Sequence, residues 1–203
     1  MRNYAEEIAY WYLRLNGFFP LTDFVIHATE EGAYTSDCDL LAIRMPYVRE
    51  DIGGLDRDWD QTLLGFFDCN RPVGVICEVK AGAIRGELFR DEYVEYCLKR
   101  FGFTPDADQT LLMDAAARLR QGTNIEVGDC EVFKLLISNK RPRQGDIAHY
   151  MPLQGAREFL LRRMRLYEEK RRDWVFFNSP IIQEIIWEVQ MELGDFPAPD
   201  DRG

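Results

Sequence analysis

Short apolar runs alternate with polar breaks that contain glycine or proline along most of the chain. Apolar runs of strand length predict five strands, at residues 24–28, 37–43, 73–80, 130–138 and, at a sheet edge, 147–151. Apolar side chains at helical spacing predict five helices, over residues 3–15, 87–101, 108–121, 155–172 and 179–193. This order of elements indicates an α/β fold in which a mixed β-sheet core is flanked by helices and followed by a C-terminal helical extension.

One domain with an insertion is the expected organisation. Its predicted parts are an α/β core of residues 1–153, a helical extension of the same domain over residues 154–195, and an acidic flexible tail of residues 196–203. Residues 45–72 lie between the second and third predicted strands and contain Pro46, Pro72, two adjacent glycines and several acidic residues. We therefore predict that this segment is an insertion.

The composition is that of a folded globular protein. Of the 203 residues, 46% are hydrophobic and 13% are aromatic, which excludes a disordered chain. No run of about 18 apolar residues occurs, so we expect no membrane span. The N-terminal helix carries two glutamates where a signal peptide needs positive charge. The odd number and irregular spacing of the cysteines predict free thiols and a cytoplasmic location.

One segment of the chain is basic, although the net charge of the whole chain is −10. An acidic protein does not coat nucleic acid by bulk attraction. Residues 134–174, however, carry 11 basic and 5 acidic side chains, a net of +6 (11 − 5). In the loop after the fourth predicted strand, Lys140, Arg141 and Arg143 are expected to be exposed, and we predict that they contact nucleic acid. The arginines of the helix over 155–172 are a weaker candidate, because glutamates dilute their charge.

Charged residues interrupt two of the apolar strands. Asp39 opens one strand, and Glu78 and Lys80 lie at the end of another. Because side chains alternate along a strand, Glu78 and Lys80 project from the same face. If the two strands are neighbours, Asp39 and Glu78 converge and can share a divalent cation, for which their oxygens suit Mg²⁺ or Mn²⁺. The simpler alternative is a strand-end salt bridge between Glu78 and Lys80, with Asp39 capping a turn.

Three motifs follow one another in the first part of the chain. They are Glu6-x-x-Ala9-x-x-x-Leu13-x-x-x-Gly17-Phe18, Asp39-Leu40-Leu41-Ala42 and Cys77-Glu78-Val79-Lys80. In this order they resemble the first helix, the metal-binding strand and the E-x-K triplet of the PD-(D/E)xK nucleases, also called restriction-endonuclease-like. The first motif resembles the first helix of the Holliday-junction-resolvase and related branches. The resemblance covers about residues 3–139 and requires the insertion at 45–72.

The resemblance implies a restriction-endonuclease-like fold and metal-dependent hydrolysis of phosphodiester bonds. Carried over by position, Asp39 and Glu78 bind Mg²⁺ or Mn²⁺ together with the backbone carbonyl of Val79. Glu6 supports the metal directly or through water, and Lys80 positions the attacking water. Nucleic acid is the implied substrate, with DNA expected.

Several alternatives stay open at this point. Glu7 competes with Glu6 for the supporting role, although the spacing to Gly17 favours Glu6, and either acid also suits a solvated first helical turn. The superfamily contains members that lost catalysis, so a silent nuclease-fold protein that binds nucleic acid or a protein partner is the main rival function. An interaction protein whose acidic insertion docks a basic partner is another. The apolar C-terminal helices are expected to pack within the chain, with a homodimer interface as the alternative.

Overall fold

The computed structural model describes residues 3–28, 33–50, 54–85, 88–104, 109–142, 147–167 and 179–193. The helices in this part of the chain are α1 (Tyr4–Arg14), α2 (Gln61–Leu64), α3 (Asp91–Phe101), α4 (Gln109–Gln121), α5 (Leu153–Leu166) and α6 (Pro180–Leu193). The strands are β1 (Phe19–Ala28), β2 (Ala33–Arg44), β3 (Val73–Lys80), β4 (Asn124–Val127), β5 (Cys130–Ser138) and β6 (His149–Pro152). The predicted tail at residues 196–203 lies outside the described residues.

The six strands form one mixed sheet. β1, β2 and β3 are an antiparallel meander, and β5 lies parallel to β3 on its other side. β4 pairs antiparallel with the first half of β5, and β6 pairs parallel with its second half. The predicted α/β class with a mixed sheet between helices is confirmed. The short strand β4 was missed, because its four residues at the end of a helix are too few to show an alternating pattern.

Helices cover both faces of this sheet. On β3, Val75, Cys77 and Val79 pack against α1, α5 and α6, whereas Ile76 packs against α3 and α4. The alternation of side chains along a strand therefore feeds two separate apolar clusters. β3 and the second half of β5 are buried on both faces, which is the reason for their continuous apolar sequences.

Helix α1 begins and ends at residues that its sequence specifies. The Asn3 side chain accepts hydrogen bonds from the backbone N–H groups of Ala5 and Glu6, and a Glu6 carboxylate oxygen accepts the Asn3 N–H at 3.0 Å. After the helix, Gly17 takes φ +82°, and a Cβ there would lie 2.9 Å from a Val48 methyl group. The predicted helix over residues 3–15 is confirmed, and Gly17 is needed for both backbone conformation and space.

The segment 45–72 is more than a surface insertion. Leu63 in α2 is fully buried, and Trp59 is 4% exposed. The Phe67 ring stacks on Phe133 of β5, with ring centroids 5.4 Å apart. The segment therefore supplies part of the core beneath α1.

Helix α6 packs onto the chain through one face. Ile182, Ile185 and Val189 are fully buried, while Trp187 and Met191 are exposed. This is the intramolecular packing expected for the C-terminal helices, and the alternative, a homodimer through these helices, stays a prediction. No helix in the described part of the chain is both long and apolar enough to cross a bilayer. All five cysteines are free thiols, as predicted.

Replacing Leu63 tests whether the 45–72 segment belongs to the core. Leu63→Ala should lower the free energy of unfolding by about 2–5 kcal/mol, because it leaves a cavity at a fully buried position. Leu55→Ala, in the same segment but half exposed, should change it by less than about 0.5 kcal/mol. Urea unfolding followed by circular dichroism measures both, and equal small effects would show that the segment is a detachable loop.

Candidate active site at the end of strand β3

The site lies where β2 and β3 stop pairing. Their ladder runs from Arg44–Val73 to Leu40–Cys77 and ends one residue before Asp39 and Glu78. There the Asp39 carboxylate accepts the backbone N–H of Val79 at 2.7 Å. A side chain thus satisfies an N–H group that a continuing strand would otherwise have paired.

Lys80 joins the two carboxylates. Its ammonium nitrogen is 2.9 Å from Asp39 Oδ2 and 2.6 Å from Glu78 Oε2. The side chains of Asp39 and Glu78 are 14% and 10% exposed, and that of Lys80 is 30% exposed. The structure therefore brings together the three residues that the sequence motifs single out, at a place that solvent reaches only partly.

Burial and neighbouring charges have opposing effects on the pKa values of Glu78 and Lys80. Burial raises the pKa of Glu78; Lys80 lowers it, and Asp39 raises it further. For Lys80, burial lowers the pKa, but the two carboxylates outweigh burial and raise the pKa above its usual value. The ammonium is thus charged at any physiological pH, whereas burial opposes the charge on Glu78.

Tyr93 of α3 lies behind Glu78. It is 4% exposed, and its buried hydroxyl has no hydrogen-bond partner of normal geometry among the described residues. Burial raises its pKa, and the neighbouring groups that raise it further include Cys38, Glu78 and Cys97. Tyr93 is not among the site residues predicted from the sequence, because its spacing on α3 is that of an ordinary amphipathic helix.

The donor set can be compared with the needs of a hard cation. Asp39 and Glu78 supply carboxylate oxygens, and the Val79 backbone adjoins them through the hydrogen bond from its N–H to Asp39. Within the described ranges, no group of three or more His, Cys, Asp or Glu side chains is arranged to hold a metal. Two carboxylates and a carbonyl nevertheless fit Mg²⁺, which keeps several of its waters and takes few protein ligands.

Glu6 has a structural role at the start of α1. The hydrogen bonds given above join its carboxylate to Asn3, not to Asp39 or Glu78. The rival Glu7 accepts hydrogen bonds from the Trp11 indole at 3.0 Å and from the Ser179 hydroxyl at 2.9 Å. The contacts of Glu6 are those of an acid in the first turn of a helix, which is the alternative given above for this residue. A metal-binding role for Glu6 stays a prediction.

The predicted basic loop begins beside the site. Because β5 is parallel to β3, both strands end at the same edge of the sheet. The Asn139 backbone N–H donates to the Lys80 carbonyl at 3.3 Å, and its side chain donates to Ala81 at 2.8 Å. Lys140 and Arg141 follow directly and are exposed. Arg143 lies outside the described residues.

The arginines of α5 are largely neutralised. Arg157 pairs with Glu188, and Arg165 pairs with Glu192, both on α6. Arg163 is buried and donates to the Asp58 carbonyl. Arg157 and Arg165 thus join α5 to α6, and Arg163 joins α5 to the 45–72 segment. Arg162 is exposed and lies over the Phe159 ring, so among the described arginines of α5 only this one adds to a cationic surface.

Comparisons of the chain with protein-family models, with curated proteins and with solved structures find no match. The family resemblance therefore rests on three motifs and on the residues that they contain. Among these, the arrangement of Asp39, Glu78 and Lys80 carries the functional argument.

The pH dependence of stability should show whether the charged carboxylate of Glu78 destabilises the folded protein. A carboxyl group whose pKa is raised on folding binds its proton more tightly in the folded chain. Its contribution to stability is complete below the unfolded pKa and is lost as pH rises through the folded pKa. Glu78→Gln removes this loss while Lys80 keeps Asp39 as its partner. The variant should have the higher Tm at neutral pH.

Thermal unfolding of both proteins from about pH 4 to pH 8 measures this effect. The difference in Tm should shrink at the acidic end, where Glu78 of the original protein takes up its proton. Glu158→Gln, an exposed position on α5, is the matched control and should change Tm little at any pH. A lower Tm for Glu78→Gln at neutral pH contradicts the expectation.

Proposed function

We propose that this protein is a metal-dependent nuclease of the PD-(D/E)xK type that hydrolyses phosphodiester bonds in DNA. The observation that carries the proposal is the convergence of Asp39, Glu78 and Lys80 at the point where β2 leaves β3. Two carboxylates and an ammonium group at the end of a strand buried on both faces are costly unless they are used.

The chain's own residues have distinct roles in this proposal. Asp39, Glu78 and the Val79 carbonyl would hold the cation, and Lys80 would hold the attacking water and the charge that develops on the phosphate. When bound, Mg²⁺ or Mn²⁺ would supply neutralisation of phosphate charge and activation of water. Lys80 would turn from the carboxylates toward the substrate, since the cation takes over their neutralisation.

The order of elements supports a restriction-endonuclease-like fold. Helix α1 precedes the antiparallel meander β1, β2 and β3, and α3 and α4 then lead to the parallel strand β5. The two acidic motifs lie on adjacent strands of this meander. The 45–72 segment leaves β2 after Arg44 and joins β3 before Val73, at the opposite end of the β2–β3 pair from Asp39 and Glu78.

A second function is favoured by a specific contact. Lys80 lies between the two carboxylates, where a shared cation would otherwise sit, so the group is also complete as a salt bridge. Together with the net charge of −10, this contact favours a silent protein of the same fold that binds nucleic acid or a protein partner.

Plasmid nicking separates these two functions. The protein should convert supercoiled plasmid to nicked or linear forms with Mg²⁺ or Mn²⁺ and not with EDTA. Asp39→Ala, Glu78→Ala and Lys80→Ala should each lower the rate by about 100-fold or more, because each removes a group at the reacting phosphate. Lys99→Ala removes an exposed lysine paired with Glu95 and should keep the rate.

The pattern across the variants decides the result. Equal cleavage by all variants points to a contaminating nuclease and removes the support for this site. Binding of the plasmid without cleavage, unchanged by Lys80→Ala, favours the silent protein. A gel-shift measurement on the same samples distinguishes that result from an inability to bind.

Salt dependence of DNA binding tests the loop after β5. The double variant Lys140→Ala/Arg141→Ala should bind more weakly, and the slope of log K against log salt should fall in magnitude by about 2, one unit for each lost phosphate contact. The control Arg157→Ala/Arg165→Ala removes the same charge from arginines that already pair with glutamates. Fluorescence anisotropy with a labelled duplex measures both, and an equal loss in the control would show that only net charge matters.

A further inference from the structure

A second site lies at the opposite end of the sheet. An open cavity of about 610 Å³ lies between Arg44, at the last position of β2, and described residues that follow it in the chain, among them Glu50, Leu55 and Cys69. Arg44 pairs with Val73 at the first residue of β3, whereas Lys80 is the last residue of that strand. The volume is in the range of small-molecule sites. This cavity is therefore separate from the proposed nuclease site.

Arg44 is buried beside this cavity with most of its donors unused. It is 5% exposed, and its Nε–H donates to the Asn16 carbonyl at 3.2 Å. The guanidinium lies over the rings of Trp59 and Phe67, 5.5 and 5.9 Å from their centroids. Within the described ranges no carboxylate pairs with it, although a guanidinium has five N–H donors. Arg44 lines the cavity, so its remaining donors are placed to meet a ligand there.

A neighbouring arginine, Arg163, is a buried cation whose charge is partly balanced by nearby carboxylates. Arg163 is also buried and also lies over Trp59, at 5.6 Å. It donates to the Asp58 carbonyl, and although burial lowers its pKa, the carboxylates of Asp58 and Glu50 offset part of that effect. Burial lowers the pKa of Arg44 with only the Cys69 thiol acting against it. An uncompensated buried cation facing a cavity is the arrangement that an anionic ligand completes.

The other residues that line the cavity indicate which class of ligand it can bind. Arg49 adds a second cation, so two positive charges can face a phosphate monoester, which carries up to two negative charges. Glu50 and Asp56 also line the cavity, and they can accept hydrogen bonds from hydroxyl groups but repel a bare polyanion. Tyr47, at φ +61° and 82% exposed, adds an aromatic ring. We propose that this cavity binds a small organic phosphate whose phosphate group pairs with Arg44 and whose hydroxyl-bearing part contacts the acidic wall.

Protection of Cys69 from alkylation tests this site in the unmodified protein. Cys69 is half-buried and lines the cavity, whereas Cys130 is half-buried elsewhere. Labelling with N-ethylmaleimide, read by peptide mass spectrometry, should slow at Cys69 and not at Cys130 when millimolar AMP is added. Inorganic phosphate should protect at higher concentration. Adenosine and succinate, which lack the phosphate, should not protect.

Calorimetric titration with AMP then tests the role of Arg44. Arg44→Gln should weaken binding by about 10- to 100-fold, the value of a charge-assisted hydrogen-bonded pair. Arg162→Gln removes an exposed arginine that also lies over an aromatic ring and should leave binding unchanged. Leu55→Trp adds a large side chain at an exposed position that lines the cavity, so it should also weaken AMP binding. This second variant tests the site even if Arg44→Gln does not fold.

Three results overturn the proposal. They are no protection of Cys69 by AMP, equal protection by succinate, and AMP binding that Leu55→Trp leaves unchanged. Asp39→Ala distinguishes this site from the nuclease site, because it should abolish cleavage and leave AMP binding intact. Loss of AMP binding in Asp39→Ala would place the phosphate at the end of β3 and would also overturn the proposal.

Discussion

The contact between Asp39 and the end of β3 is the constraint on which the site depends. β3 is buried along its length, so its last residues can carry charge only where another group balances them. Asp39 does this twice, by accepting the Val79 N–H and by pairing with Lys80. Because the same carboxylate satisfies a backbone group and a side chain, β2 can leave β3 without an unpaired donor. The opening between the strands is thereby stabilised rather than frayed.

The two-faced core holds this opening in place. α1, α5 and α6 cover one face of the sheet, and α3 and α4 cover the other. Asp39 and Glu78 lie on neighbouring strands of the same meander, so their approach follows from the sheet itself. Tyr93 of α3 lies behind Glu78, and its buried hydroxyl has no hydrogen-bond partner of normal geometry among the described residues. The rigid parts of the fold thus position the charges, and the loop that begins at Asn139 is positioned by its bonds to the end of β3.

Buried charges in this protein differ in how they are compensated. Lys80 has two carboxylates, and Arg163 has Asp58 nearby. Arg44 has aromatic rings and one carbonyl, and it faces a cavity. Burial lowers the pKa of Lys134 to about 8, and this residue donates to the Arg120 carbonyl at 3.4 Å beneath Phe89. Charge without a counter-charge costs stability in a low-dielectric interior, so such positions indicate where a ligand is most useful.

The sequence alone determined the elements with strong local signals. β3 and β5 follow from long apolar runs, and the start and end of α1 follow from Asn3 and Gly17, because periodicity and capping are local properties. Strand alternation also placed Glu78 and Lys80 on one face. The tertiary structure decided the rest: that Asp39 reaches Val79, that Arg157 and Arg165 of α5 pair with α6, and that Arg44 faces a cavity. Partners distant in sequence meet only through packing, and an isolated charge in a sequence shows neither its burial nor its partner.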